Sequence, residues 1–180
     1  MLCVEMLRGR KVTLRAVERM DLGRVWEFRN DAELEGLAYG VPMPRSMAEL
    51  EARFDRDLVE PHPDHESFIV EVDGSMVGRC DLFEADEVGR TVRIGITIAQ
   101  DQWGQGYGTD AVRVLVRHAF VDRNLNKVCL DVLSENERAI RAYRSAGFIE
   151  EGRLRAQTWH DGAYRAQRMR TGLSNYLGPA

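Results

Sequence analysis

The sequence predicts an α/β (α+β) fold, a mixed and mostly antiparallel sheet with helices on both faces. Three observations carry this. Asp73-Gly74 and Asp161-Gly162 adjoin strand-like runs, and Asp-Gly is the strongest short signal for a two-residue hairpin turn. Val92 to Ile98 alternates, with Ile94, Ile96 and Ile98 on one side. A glycine-rich loop follows, then Val112, Leu115, Val116, Ala119 and Phe120 at the spacing of one helix face. Val128, Leu130 and Val132 begin a second strand–helix unit, continued by Ala139, Ala142, Tyr143 and Ala146. Hairpins make antiparallel neighbours and strand–helix–strand crossovers make parallel ones, so the sheet must be mixed.

The elements follow in order. Val12, Leu14 and Ala16 mark a first strand, and Asp21 is a plausible cap for a helix with Leu22, Val25 and Trp26 inward. A short helical turn around 32–34 precedes the loop Gly40-Val41-Pro42-Met43-Pro44. Ser46-Met47-Ala48-Glu49 has the capping-box pattern, in which hydroxyl and carboxylate each satisfy the other's backbone N–H. It opens a helix to about Val59, with Met47, Leu50, Phe54 and Leu58 inward, ended by Pro61-His62-Pro63. Strands 67–72 and 76–83 form the first hairpin, and a polar link 84–90 leads to strand 92–98. Ser134-Glu135-Asn136 closes the next strand and can cap the helix after it, and Gly147 fits the left-handed position past that helix. The order is β-α-α-β-β-β-α-β-α-β-β.

A chain of 180 residues suits one domain, 1–180, with its core at about 10–173. Apolar residues at 44% and charged residues at 30% are ordinary for a globular protein. A net charge of −4 argues against nonspecific nucleic-acid binding. Cys3, Cys80 and Cys129 lack metal spacing and read as reduced thiols. His62, His65 and His118 have no third partner at ligand spacing, so no metal is expected. No apolar run nears the ~18 residues of a membrane span, and no signal-peptide core precedes Arg8, so the expected location is the cytoplasm, with no membrane partner.

The chemistry centres on Trp103-Gly104-Gln105-Gly106-Tyr107-Gly108-Thr109, between strand and helix. The first helical turn carries unpaired N–H groups at a positive dipole end, and glycines let a ligand approach them, which together make a phosphate cradle. A dinucleotide fingerprint needs glycine at Thr109, and a Walker loop needs Gly-Lys-Ser/Thr; both fail. A tight glycine turn that holds no ligand is the plain alternative.

What remains resembles the pyrophosphate loop of the GCN5-related N-acetyltransferases (GNAT family), Gln/Arg-x-x-Gly-x-Gly/Ala, with Trp103 at the Gln/Arg position. Asn136-x-x-Ala139-Ile140-x-x-Tyr143-x-x-x-Gly147-Phe148 resembles the same family's second acetyl-CoA segment. Val12-x-Leu14-Arg15 and Trp26-x-x-Arg29-Asn30-Asp31 look like its RimJ/RimL-type branch. The resemblance spans 11–171 and implies acetyl-CoA as co-substrate and transfer to a primary amine, on a protein N-terminus or a small molecule. It also implies a V-shaped splay between the two central strands beyond Ile98, holding the pantetheine arm beside Ile96 and Ile98. The amides of 104–109 would take the diphosphate, and Asn136 the pantetheine or the amine side. A homodimer is common in the family. A catalytically silent acyl-CoA-binding regulatory module is the competing reading.

Transfer from thioester to amine needs a neutral amine, an oxyanion donor and a proton for the departing thiolate. A backbone N–H between Ile96 and Ile98 is the expected oxyanion donor. Tyr143 is the candidate general acid, with a packed helix-face aromatic as the plain alternative. Asp81, Glu84, Glu33 and Glu35 are candidate bases, each of which reads equally as a surface carboxylate. Arg138, Arg141 and Arg144 could reach the CoA 3′-phosphate or could form a solvated face.

Overall fold

The computed structural model describes residues 7–39 and 41–173. Cys3 and Gly40 lie outside them. The strands are β1 (Leu7–Arg8), β2 (Thr13–Ala16), β3 (Glu66–Val72), β4 (Ser75–Asp86), β5 (Thr91–Ile98), β6 (Lys127–Leu133), β7 (Ile149–His160) and β8 (Ala163–Leu173). The helices are α1 (Leu22–Asn30), α2 (Ala32–Tyr39), α3 (Met47–Val59), α4 (Tyr107–Arg117) and α5 (Glu137–Ser145). The strands form one sheet in the order β1-β2-β3-β4-β5-β6-β8-β7. Every neighbouring pair is antiparallel except β5–β6. The mixed, mostly antiparallel sheet expected from the sequence is therefore present.

Both Asp-Gly turns have the positive φ that such hairpins need, 49° and 75° at Asp73-Gly74 and 47° and 72° at Asp161-Gly162. On one face of the sheet α4 buries Ala111, Val112, Leu115 and Val116 against Val70, Cys80, Leu82, Val92 and Ile94. Burying a side chain the size of Leu115 contributes about 2 kcal/mol. The opposite face is polar where it meets the site. Ser67, Asp81 and Gly95 lie in lateral register across β3, β4 and β5, beside the row Ile69, Arg79, Thr97.

Several local expectations are corrected. The Asp21 carboxylate does not cap α1. It accepts two bonds from Arg15, at 2.7 and 2.8 Å, and one from Glu18 N–H, at 2.8 Å, within the tight turn Arg19–Asp21. The predicted turn near 32–34 is a full helix, because Asp31 Oδ1 accepts from the N–H groups of Glu33 and Leu34 and starts α2. Only half of the capping box forms. Ser46 Oγ accepts from Glu49 N–H, but the Glu49 carboxylate pairs with Arg45 instead. Trp26 is not an inward residue of α1, whose buried side is Leu22, Val25 and Phe28. Its indole donates to the Arg45 carbonyl at 2.7 Å, beside the Asn30 amide. This pins the segment entering α3. The largest departure is α3 itself, which buries none of its residues and leaves Leu58 65% exposed.

Candidate active site

The site begins where β5 and β6 part. They pair only at Thr91↔Lys127, Val92↔Val128 and Arg93↔Cys129. Beyond Arg93, β5 keeps its bonds to β4 as far as Ile98, and β6 keeps its bonds to β8 as far as Leu133. The strands open because each is held by its outer neighbour. The side of β5 that faces the opening follows from strand alternation. The Arg90 carbonyl accepts from Asn126 and Lys127, and the Ile98 carbonyl accepts from the Trp103 indole at 2.7 Å. Even-numbered residues thus direct their backbone toward β6. The peptide groups of Ile94, Ile96 and Ile98 face a gap in which no strand answers them.

The glycine loop closes the wide end of that gap. Gly104 and Gly106 adopt φ of 79° and 83°, which only glycine reaches without strain. The first α4 bond runs from Asp110 N–H to the Gly106 carbonyl at 3.1 Å. The amides of Tyr107, Gly108 and Thr109 precede it and have no intrahelical acceptor. Two distant contacts brace the loop. Lys11 Nζ donates to the Gln105 carbonyl at 2.7 Å, and the buried Asp110 carboxylate accepts from the N–H groups of Lys11 and Val12 at 2.6 and 3.1 Å. Sequence reasoning missed both, since nothing local marks Lys11 as a partner of a residue 94 positions on.

A continuous cavity of about 1270 Å³ runs from this loop through the gap to the opposite face of the sheet. Ile96, Ile98, Trp103, Gly104, Gly106, Tyr107, Gly108, Thr109, Asn136 and Tyr143 all line it. Gln105 does not; it lies on the exposed outer side of the loop, its carbonyl held by Lys11. Asn136 is partly committed, because its side-chain oxygen caps α5 through Ala139 N–H at 3.1 Å and leaves only its amide free to reach the cavity. Arg138 lies over the Trp103 ring at 3.0 Å from its centroid. With Arg141 it lines the cavity, whereas Arg144 stands apart.

Tyr143 is almost wholly buried, 5.9 Å from the Phe148 ring, and its hydroxyl has no hydrogen-bond partner among the described residues. Burial pushes the phenol up to about 12. It stays protonated at neutral pH, as a proton donor must.

The candidate bases separate. Asp81 and Glu84 line the cavity; Glu33 and Glu35 do not. Burial raises the Asp81 pKa, but the Arg79 charge and hydrogen bonds from His65, Ser67 and Arg79 outweigh it and leave the carboxyl well below the usual range. Ser67 and Arg79 each approach Asp81 Oδ1 at 2.7 Å, and His65 at 3.5 Å. A carboxylate so held is a weak proton acceptor. Glu84 pairs with Arg93 at 3.4 Å. Glu33 takes the Gln100 amide at 3.1 Å on the exposed rim. Glu35 is buried beside Arg29 at 3.3 Å, and burial raises its pKa. Among the described residues no helix is long and apolar enough to cross a membrane.

Comparison with known proteins agrees with this geometry. Residues 11–149 match the family described as acetyltransferase (GNAT) domain. The chain is 34% identical over 155 residues to a spermidine N(1)-acetyltransferase of Escherichia coli K12, covering 86% of this chain and 81% of that protein. It is 30% identical over 170 residues to one from Vibrio cholerae, covering 93% and 96%. A crystal structure of spermidine N-acetyltransferase from Vibrio cholerae in complex with CoA and spermine superposes with a TM-score of 0.86 at 27% identity, over 92% of this chain and 97% of that one. The chain belongs to the GCN5-related N-acetyltransferase family and is an acetyl-CoA-dependent N-acetyltransferase.

Proposed function

We propose that the acceptor is the primary amine of a small molecule, attacked directly by a route through the β5–β6 gap. The observation that carries this is the continuous cavity joining the glycine-loop amides on one side of the sheet to the polar row Ser67–Asp81–Gly95 on the other. Both substrates can meet there in one ternary complex, which removes much of the entropy cost of encounter. The names of the two relatives given above, spermidine acetyltransferases, support a small amine over a protein N-terminus, so the RimJ/RimL-type motifs at β2 and in α1 are better read as structural.

In this reading the amides of Tyr107, Gly108 and Thr109 hold the diphosphate, and Arg138 and Arg141 add charge nearby. The pantetheine arm pairs with the Ile96 peptide and the Ile98 N–H as an added strand would, the Ile98 carbonyl being held by the Trp103 indole. One of their N–H groups stabilises the oxyanion, a contribution of ~3 kcal/mol. Tyr143 protonates the departing thiolate. The amine's proton leaves through water, since Asp81 is held ionised by its donors and gains little by accepting it. Buried Cys80 accords with a reducing cytoplasm.

The test is CoA release from acetyl-CoA with small amines and with peptides bearing a free N-terminus, the product located by mass spectrometry. Acetylation of the small amines is expected; turnover confined to the peptides would refute the proposal.

A further inference from the structure

The cavity wall holds one imidazole in a fixed orientation. His65 stands immediately before β3, and its N–H closes the preceding turn onto the His62 carbonyl at 3.3 Å. Its side chain lines the cavity and is 28% exposed. Nε2 lies 3.2 Å from Ser67 Oγ and 3.5 Å from Asp81 Oδ1, and the ring sits 6.5 Å from the Phe83 ring.

The hydrogen bonds decide which ring nitrogen is bare. Ser67 has one hydroxyl proton and gives it to Asp81 Oδ1 at 2.7 Å, because a carboxylate only accepts. The ring must then donate its Nε2–H to Ser67 Oγ. That leaves the lone pair on Nδ1, which bonds no group among the described residues. A proton acceptor works best when its conjugate acid titrates near the working pH. A free imidazole does so at about 6.5 and a free carboxyl at about 4. Asp81 is held ionised and lies further still from that range. His62 also lines the cavity, but it is exposed, and no side-chain bond fixes it among the described residues.

The fixed ring is joined to the β5–β6 gap by the polar row. Ser67, Asp81 and Gly95 are in lateral register, so Ser67 lies two strand spacings, about 10 Å, from β5. A Cβ on Gly95 would meet only Phe83 Cε1, at 3.5 Å, so the space over Gly95 is open. Roughly two or three waters in hydrogen-bond contact span that distance.

We propose that His65 is the terminal proton acceptor of the acceptor amine, reached through cavity water and oriented by Ser67. This rests on the acetyltransferase reading and assigns the base that reading leaves to water. The amine enters as an ammonium and sheds two protons. The first passes along the water to His65 Nδ1 and from the imidazolium to solvent. The neutral nitrogen then forms the C–N bond, the C–S bond breaks, and the sulfur takes the Tyr143 proton. The second nitrogen proton restores Tyr143, so one proton is released per turnover.

The test measures CoA thiol release by the full chain with acetyl-CoA at neutral pH and two acceptors. These are n-butylamine, an ammonium in solution, and 2,2,2-trifluoroethylamine, already neutral there. For n-butylamine, His65→Gln should lower kcat/KM about 100-fold with the KM for acetyl-CoA unchanged. For trifluoroethylamine the loss should be no more than about fivefold, since no ammonium has to be discharged. Added imidazole should restore the variant at least about tenfold with n-butylamine and leave the parent unaffected. Ser67→Ala, which frees the ring, should cost about fivefold to tenfold. Equal losses for the two amines without imidazole rescue would make His65 structural and overturn the proposal, as would full activity in His65→Gln. Either result leaves the acetyltransferase reading standing. No CoA release by the parent with any amine would overturn both.

Discussion

Lys11 Nζ donates to the Gln105 carbonyl at 2.7 Å and so ties the approach to β2 to the back of the glycine loop. The ammonium also lies 3.2 Å from where a Cβ on Gly106 would fall. It holds the loop shape and adds positive charge beside the helix mouth. Lys11→Met should raise the KM for acetyl-CoA about fivefold to tenfold, the equivalent of one such hydrogen bond, with kcat nearly unchanged. The difference should shrink in high salt. Steady-state kinetics at two ionic strengths checks both.

Two glycine substitutions separate backbone strain from space. Gly106→Ala meets φ of 83° and should cost about 1–2 kcal/mol as well as weakening acetyl-CoA binding. Gly23→Ala lies within α1, where a Cβ meets nothing within 4 Å, and should stabilise by about 0.5–1 kcal/mol. Urea melts of the two variants should shift in opposite directions.

Tyr143→Phe removes a proton donor whose hydroxyl holds no other group. We expect kcat to fall about 100-fold or more, with the KM for acetyl-CoA little changed and no loss of stability at neutral pH. The phenol has its pKa raised from 10.0 to about 12 in the folded chain. Its contribution is therefore complete below about pH 10 and lost as pH rises toward 12. The stability difference between parent and variant should change over that alkaline window alone.

Asp81→Asn tests whether this carboxylate acts as structure or as base. Its folded pKa lies below the unfolded value of 3.8, so its stabilisation is complete above about pH 4 and is lost as pH falls further. The substitution would remove the charge of the carboxylate that Arg79 and Ser67 bond, and we expect a loss of about 3 kcal/mol at neutral pH. The acid limb of kcat/KM should keep its midpoint. A displaced midpoint would give Asp81 a proton-transfer role.

Much of the molecule can be read locally. The Asp-Gly turns, the alternation of Ile94, Ile96 and Ile98, the stripe on α4 and the Asn136 cap each express a backbone preference or a facing pattern within a few residues. Those signals determined the element order and the glycine loop at a helix mouth, and with the Asn136–Phe148 motif they pointed to the family. Where they failed, a distant group had outbid the local one. Arg15 took the Asp21 carboxylate, Arg45 took Glu49, and the Arg45 carbonyl drew Trp26 outward.

The sequence by itself determined most of the strand and helix segments and the glycine loop at the mouth of α4, because periodicity and glycine placement act through neighbouring peptides. Only the tertiary structure decided that β5 and β6 separate after Arg93, that Lys11 braces the loop, that Asp81 is ion-paired with Arg79, and that α3 roofs a cavity instead of a core. Each of these depends on which remote residues come to adjoin, and no pattern within a few positions of the chain encodes that.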